Sequence, residues 1–234
     1  MKKYYIFLFI ILGYYSTYSQ NLIFKPLLGV NICSPNLKYS ITNKKLTEKK
    51  IRPGFDVGLN AEIKLNKTTS IEGGWIFSNN RAFVERIFYP NVIIVGDYPR
   101  TKEDYTLNQI KLPINVLFKQ NNHNPLFIGI GPEIKININA HRDGKIVERY
   151  ETYSTRFRLD TKSGNKTGLS FLLSAGKELS LGKSKICFRL NIDTDITKWR
   201  YPTNFEFEEE RYFSFRNNNF SLLFSYIFDS GGKK

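Results

Sequence analysis

The chain has 234 residues, a formal net charge of +14 and a mean hydropathy of −0.35. This length suits a single domain. No run of 18 consecutive apolar residues follows the N-terminal segment, which excludes a conventional transmembrane helix. So basic a balance often indicates a nucleic-acid partner, but the N-terminus directs the chain out of the cytoplasm, and we expect no nucleic acid.

The N-terminus has the pattern of a cleavable secretion signal. Two lysines precede an apolar run over residues 4–15, and small residues stand before a cut after Ser19. A membrane anchor is the alternative, but the run is shorter than the roughly 20 apolar residues that a spanning helix needs. We therefore expect a signal peptide over 1–19 and one domain over 20–234.

Eight segments of the mature chain alternate apolar and polar residues with a period of two. In the clearest, apolar side chains occupy the odd positions from Phe55 to Leu65, with polar or small residues between them. This alternation predicts strands with one apolar and one polar face. The predicted strands are 22–33, 53–65, 69–79, 105–119, 125–138, 166–179, 184–198 and 217–228.

The connections between these strands alternate short and long. The short ones are 66–68, 120–124 and 180–183, and the long ones are 34–52, 80–104, 139–165 and 199–216. Bacterial outer-membrane barrels have short periplasmic turns and longer extracellular loops, and each strand supplies the roughly 9–11 residues that a tilted membrane strand needs. The sequence predicts an all-β fold, an eight-stranded antiparallel up-and-down transmembrane β-barrel with four long extracellular loops.

A soluble, lipocalin-like ligand carrier shares the period-two pattern. Two features favour the membrane barrel. The polar faces hold many small residues, which suit a crowded interior: Gly29, Gly58, Gly129, Gly131, Gly168, Ser170, Ser174, Gly176 and Ser225. The apolar faces are bulky and aromatic, as a lipid-facing surface requires: Phe55, Trp75, Phe77, Phe118, Phe171, Phe188 and Phe224.

Several segments resemble PorT-like outer-membrane β-barrel proteins. Residues 54–62, continuing through 70–75, resemble that family's second and third strands, and residues 110–114 resemble its strand with an embedded proline. Residues 125–132 and 168–178 resemble the two strands that follow. The resemblance implies an outer-membrane barrel, and some relatives serve in type IX protein secretion and gliding. No motif here singles out that subgroup.

Charged residues on the predicted inward faces are expected to pair, because an eight-stranded barrel is just wide enough for its own side chains and buried charges need partners. Counting the register outward from a turn near residue 122 predicts three lumen ion pairs: Lys111 with Glu133, Lys25 with Glu62, and Arg189 with Glu178. A salt-bridged plug is favoured over a path for ions or protons.

The second long connection contains an exposed apolar run that is a candidate binding surface for a protein partner. It comprises Tyr89, Val92, Ile93, Ile94, Val95 and Tyr98. The alternative is a strand extension that packs on its neighbours above the membrane, and this alternative is slightly favoured.

The first and fourth long connections carry opposite charge. Basic residues cluster in the first at Lys38, Lys44, Lys45, Lys49, Lys50 and Arg52, and acidic residues in the fourth at Glu206, Glu208, Glu209 and Glu210. Mutual pairing of the two connections is the simpler expectation. Contact of the basic cluster with lipopolysaccharide phosphates is the alternative, and a calcium site at the glutamates is disfavoured.

No residue pattern supports catalysis, a metal or a cofactor. The only set near the outer rim is His141 with Asp143 or Asp160 and Ser154 or Ser163, and no metal spacing links His141 to His123. Cys33 and Cys187 fall near opposite ends of the barrel, too far apart for a disulfide, so both are expected as free thiols.

These observations favour a non-enzymatic outer-membrane scaffold or interaction protein, with a role as an accessory of protein secretion or surface assembly as the finer hypothesis. A narrow transport or gating barrel is the alternative, and a rim enzyme is a weaker one. The expected partners are outer-membrane lipid, with lipopolysaccharide as a further candidate, and a protein bound through the extracellular loops.

Overall fold

The fold was determined as a computed structural model. It describes residues 22–38, 44–88, 100–121, 123–147, 152–159, 165–182, 184–202 and 212–229. The predicted signal peptide lies outside these residues. In the part of the chain that the structure describes, no helix is long and apolar enough to cross a membrane.

The described chain forms ten strands. They are β1 (Leu22–Lys38), β2 (Lys44–Lys64), β3 (Thr69–Phe88), β4 (Arg100–Lys119), β5 (Leu126–Val147), β6 (Thr152–Leu159), β7 (Thr167–Leu181), β8 (Ser184–Asp195), β9 (Trp199–Pro202) and β10 (Tyr212–Asp229).

Eight of these strands close into a barrel. Each neighbour along the order β1, β2, β3, β4, β5, β7, β8 and β10 is antiparallel, and β1 pairs with β10 over Ile23 to Lys38 to complete the wall. Closure removes the unpaired strand edges that hydrocarbon cannot tolerate. The predicted eight-stranded antiparallel barrel is confirmed.

The strands extend further on the extracellular side than the sequence predicted. Strand β5 reaches Val147 rather than 138, and β3 reaches Phe88 rather than 79. The lower part of β5 pairs with β7, whereas its upper part, Ala140–Val147, pairs with β6. Strand β9 likewise pairs with the first residues of β10. Above the membrane neither face of a strand has to be apolar. The alternation of apolar and polar residues therefore ends before the backbone pairing of the strands ends.

The two faces of the wall divide as predicted. Large apolar side chains on the outer face are widely exposed, including Leu28 (61%) and Ile128 (64%). On the inner face the same strands bury glycine, serine, amide and charged residues, such as Ser170 and Asn191. This arrangement places lipid outside and a polar interior inside.

One glycine marks a close approach of two strands. The register of β2 against β3 shifts between Arg52 and Phe55, and a Cβ on Gly54 would lie 1.8 Å from the carbonyl oxygen of Asn79. No side chain fits there without displacing β3. Glycine at this position therefore lets the backbones of β2 and β3 approach closely beside the bulge.

An arginine placed on the outer face at two depths tests whether β7 spans the membrane. Leu173 lies near the middle of β7, and Leu181 is its last residue on the side of the short turns; both are exposed. Leu173→Arg should lower the free energy of unfolding by ~2–4 kcal/mol and Leu181→Arg by ~0–1 kcal/mol, because the cost of a cation falls from the midplane to the interface. Guanidinium titration in lipid vesicles measures both, and equal losses would contradict a membrane-spanning β7.

Candidate functional site

The interior of the barrel is the candidate functional site, because it concentrates buried charge. An eight-stranded barrel leaves space only for its own side chains, and ionised groups there cannot be hydrated as they are in bulk water. Buried charged side chains from six strands nonetheless point inward. They are Lys25, Asp56, Glu62, Glu72, Lys111, Glu133, Lys135, Arg189, Asp193 and Asp195.

Six charged residues near the short turns form one group, called here the periplasmic cluster: Lys25, Glu62, Glu72, Lys119, Glu178 and Arg189. The Lys25 ammonium contacts Glu62 and lies 3.1 Å from Glu178 Oε1. Lys119 Nζ lies 2.6 Å from both Glu62 Oε1 and Glu178 Oε1. Three cations therefore face three carboxylates, and the cluster is neutral.

Arg189 and Glu72 join opposite walls of the barrel. Both guanidinium NH groups of Arg189 donate to the carboxylate of Glu72, one of them at 2.6 Å to Oε2. Strands β8 and β3 are four strands apart in either direction around the wall. The bidentate pair therefore crosses the lumen, and it has the geometry of the strong arginine–carboxylate interactions.

An aromatic ring packs beside this cluster. The Phe127 ring centroid lies 5.1 Å from the Arg189 guanidinium carbon and 5.9 Å from Lys25 Nζ. Phe127 also belongs to a buried apolar group with Ile23, Leu117, Cys187 and Ile227. This apolar group fills the space around the cations and adds cation–π attraction to the ion pairs.

A second group lies toward the extracellular end and is called here the extracellular cluster: Lys111, Glu133, Lys135, Asp193 and Asp195. Lys111 Nζ lies 3.1 Å from Asp193 Oδ2, and Lys135 Nζ lies 2.6 Å from Asp195 Oδ1 while also contacting Asp193. Ser170 Oγ donates to Glu133 Oε1 at 3.1 Å. Two cations thus bind three carboxylates in a second layer of the lumen.

Trp199 covers the extracellular cluster. Its side chain is fully buried, and its indole Nε1 donates to Asp195 Oδ2 at 2.6 Å. A Cβ on Gly168 would lie 2.6 Å from the indole ring, so glycine leaves the space that the ring occupies. The backbone N–H of Asn217 donates to the same Asp195 oxygen at 2.8 Å. Asp195 therefore fixes the first residue of β9 to β10.

A chain of hydrogen bonds between amides connects the walls at this level. Asn80 Nδ2 donates to Gln109 Oε1 at 2.9 Å, and Gln109 Nε2 donates to Asn137 Oδ1 at 2.7 Å. Asn137 Nδ2 then donates to the carbonyl of Asn165 at 3.2 Å, and Asn165 Nδ2 to that of Lys198 at 2.9 Å. This belt ties β3, β4 and β5 to the segment that precedes Trp199.

Comparison with known proteins decides the family. Residues 18–218 match the family described as "Outer membrane protein beta-barrel domain". The chain belongs to this family. Its members are barrels of the bacterial outer membrane, which is the location predicted from the signal and the strands. No curated protein matches the sequence. The match is to the barrel family and does not single out the PorT-like group, so the PorT-like resemblance stays a prediction.

Solved outer-membrane barrels are similar in structure. OprG from Pseudomonas aeruginosa is 8% identical, with 90% of this chain and 97% of that chain covered and a TM-score of 0.52. Ail from Yersinia pestis, solved in complex with the heparin analogue sucrose octasulfate, is 12% identical, with 89% and 99% covered and a TM-score of 0.38. At 8% sequence identity, the structural similarity to OprG shows only that the two proteins share a fold.

The six residues of the predicted lumen pairs all lie in the two clusters, but two of the three predicted pairs have other partners. Lys25 contacts Glu62, as the sequence suggested. Arg189 binds Glu72 rather than Glu178, which pairs instead with Lys25 and Lys119.

The predicted pairing of Lys111 with Glu133 is wrong in register. Lys111 lies opposite Lys135 and binds Asp193, while Glu133 lies opposite Pro113. The pairing of β4 with β5 is centred on residue 123 rather than 122, which moves the partner by two residues and keeps it on the inward face.

Sequence reasoning missed five charged members of the two clusters and the tryptophan that covers one of them. These are Glu72, Lys119, Lys135, Asp193, Asp195 and Trp199. The five charged residues stand at the inward-facing positions of predicted strands, so the alternation of the sequence could have placed them in the lumen. Trp199 carried no such signal, because it begins a segment that was predicted as loop.

The predicted loop sites fall largely outside the described residues. This applies to the candidate partner-binding residues Tyr89, Val92, Ile93, Ile94, Val95 and Tyr98, and to the acidic residues 206–210. Arg52, assigned to the basic cluster of the first loop, is described: its NH1 lies 2.8 Å from Asp104 Oδ1. That partner belongs to β4 rather than to the fourth loop.

The weak candidate for a catalytic rim gains no support from the described residues. Asn139 Nδ2 lies 2.8 Å from His141 Nε2. Ser154 lies opposite Lys145, four residues beyond His141 along β5, which is about 13 Å of strand. Asp160 and Ser163 lie outside the described residues, within which no three His, Cys, Asp or Glu side chains are grouped to hold a metal. Cys33 and Cys187 are buried and free.

The two tryptophans of the chain report on the two faces of the wall. Trp75 is 49% exposed on the outer face, and Trp199 is buried in the lumen. Brominated lipids should therefore quench the fluorescence of Trp199→Phe, which retains Trp75, and leave that of Trp75→Phe almost unchanged. Quenching of equal depth in the two variants would contradict the position of Trp199.

The role of Gly168 can be tested in the Trp75→Phe background. Gly168→Val should displace the indole, shift its emission to longer wavelength and expose it to iodide, because the new side chain occupies the site of the ring. Gly73→Val is the matched control, since a Cβ there meets only the carbonyl oxygen of Pro113 at 3.4 Å. An unchanged spectrum for Gly168→Val would show that Trp199 is not seated against Gly168.

Proposed function

We propose that the protein is a non-enzymatic scaffold or interaction protein of the outer membrane, which presents an extracellular β-structure on a plugged barrel. The observation that carries this proposal is the paired filling of the lumen. Two layers of ion pairs and a buried tryptophan occupy the interior of the barrel. A barrel filled in this way anchors its extracellular part rather than passing solutes.

The wall above the membrane supports the same role. Residues 44–51 of β2 continue the sheet against β3, and β4 continues against β5 as far as Val147. Strands β7 and β8 are shorter, so the wall is tall on one side and low on the other. Strands β3 and β4, which the connection over 89–99 links, belong to the tall side.

We assign partner binding to that connection. Its apolar residues, Val92 to Val95 with Tyr89 and Tyr98, belong to the connection between two strands whose backbone pairing continues to Ile87 and Arg100. An apolar run in a connection between two paired strands suits contact with a protein by sheet addition or by burial of the run. The finer hypothesis is an accessory of protein secretion or surface assembly, which rests on the PorT-like resemblance.

Lipopolysaccharide is a second proposed partner. Lys44, Lys45, Lys49 and Lys50 fall on the upper part of β2, above the apolar belt, where the phosphates of the outer leaflet would lie. Lysines near an anionic surface each contribute about 1 kcal/mol of attraction. The proposal concerns surface association and does not require a pocket.

Transport through a narrow, gated lumen is the second candidate function. Asn115 is buried on β4 between the two clusters, and neither polar atom of its side chain has a hydrogen-bond partner in the protein. Buried amides of this kind usually bind water. A hydrated layer between the clusters is the observation that favours this candidate.

Photo-crosslinking on intact cells tests the interaction role. A photoreactive amino acid at Tyr89 should yield a covalent adduct with a protein, and the same amino acid at Thr68, in the turn between β2 and β3, should not yield that adduct. Adding Ile93→Asp and Ile94→Asp should abolish the Tyr89 adduct, because an apolar contact does not tolerate unpaired charge. Absence of an adduct at Tyr89, or an adduct that survives both aspartates, would contradict the assignment.

A further inference from the structure

The outer face of the barrel contains a groove on the outer surface of strand β7. Its volume is about 800 Å³, and it lies among side chains of β4, β5, β7, β8 and β10. One cross-strand row defines its floor and sides: Phe118, Ile128, Ala175, Leu190 and Leu222 lie directly opposite one another in the register. Ala175 is the small member of a row that is otherwise bulky, and its size opens the groove.

The groove lies in the part of the wall that contacts lipid. Phe118, Ile128, Leu190 and Leu222 are 51%, 64%, 46% and 57% exposed. Exposure on this scale belongs to a lipid-facing surface, because a barrel presents its apolar band to hydrocarbon. An apolar groove at this depth is filled by hydrocarbon rather than by water, so its natural occupant is an acyl chain.

A lysine stands at one end of the groove. Lys177 lines it, lies on the same face of β7 as Ala175, and is two residues nearer the turn that follows Leu181. Its neighbours across the wall are Leu126 and Phe188, both about half exposed. Two residues of strand span about 7 Å, which places the ammonium at the periplasmic end of the groove.

We propose that this groove binds one anionic phospholipid of the periplasmic leaflet, with an acyl chain over Ala175 and the phosphate at Lys177. The apolar row accounts for the chain, and the lysine accounts for the charge of the headgroup. Lipopolysaccharide is not the expected occupant, because Lys177 lies at the end of the barrel with the short turns, and lipopolysaccharide occupies the opposite leaflet.

The opposite wall provides an internal comparison. Ala61 and Gly73 are small residues that face each other on the outer surface of β2 and β3. Two residues nearer the periplasm on the same faces stand Ile63 and Ile71, which are apolar. A small gap without a lysine can admit an acyl chain but has no group for a phosphate, so the combination at Ala175 and Lys177 is what points to a phospholipid.

Native mass spectrometry of the full-length mature barrel tests the proposal. The protein is released from nanodiscs that contain phosphatidylglycerol and phosphatidylethanolamine in equal amounts. The wild type should retain one phosphatidylglycerol in preference to phosphatidylethanolamine. Ala175→Phe should lower retention of both lipids because the ring fills the groove. Lys177→Gln should lower the preference about fivefold, the factor expected for one lysine near an anionic surface.

Two matched variants separate this site from general effects of size and charge. Ala61→Phe adds the same ring to the opposite wall, and Lys64→Gln removes a lysine at the end of β2; neither should change retention. A heat-dependent shift in gel mobility confirms that each variant is a folded barrel. Equal retention by the wild type and Ala175→Phe, an equal loss in Ala61→Phe, or preferential retention of added lipopolysaccharide would overturn the proposal.

Discussion

The structure depends on one constraint: a closed wall of eight strands leaves an interior that only its own side chains can fill. Ionised groups in that interior need partners within hydrogen-bond distance, because removing one partner of a buried pair leaves a charge that costs about 3–5 kcal/mol. The bidentate contact between Arg189 and Glu72 is the clearest response to this constraint. It joins strands on opposite sides of the barrel, so it fixes their relative height as well as their charge.

The other features of the barrel follow from the same need to fill its interior with its own side chains. Glycine and serine on the inner face make room for long charged side chains, and the apolar residues displaced from the interior form the lipid-facing surface. The periplasmic cluster is neutral, with Phe127 packed against its cations. The extracellular cluster is closed by Trp199, whose hydrogen bond to Asp195 fixes the first residue of β9 against the cluster. Location in the outer membrane and a filled interior together support an anchoring role for the extracellular strands.

Much of this architecture was predictable from the alternation of residues. The pattern from Phe55 to Leu65 places Glu62 inward and Phe55 outward, and the structure agrees. The ends of the strands were less predictable above the membrane, because polar residues on both faces give no alternation to read. Strand β5 therefore extends past its predicted end, and β6 and β9 were not predicted.

The partners of the buried charges were harder to predict than their positions. A sequence read strand by strand suggests contacts between neighbouring strands, whereas Glu72 and Arg189 are 117 residues apart and meet across the lumen. The shift of the β4–β5 register by one residue at the turn was enough to replace Glu133 by Lys135 opposite Lys111. Pairing across a barrel requires the closed geometry, which no local pattern contains.

Ion leakage from liposomes tests most directly whether paired charges close the lumen. The purified barrel, reconstituted in its folded form, should release trapped potassium no faster than liposomes without protein. The double variant Glu72→Ala and Arg189→Ala removes the pair that crosses the lumen without leaving an unpaired charge, and it should leak faster than the wild type. Rapid leakage through the wild type, matching that of a general porin measured alongside, would contradict the closed lumen and favour transport.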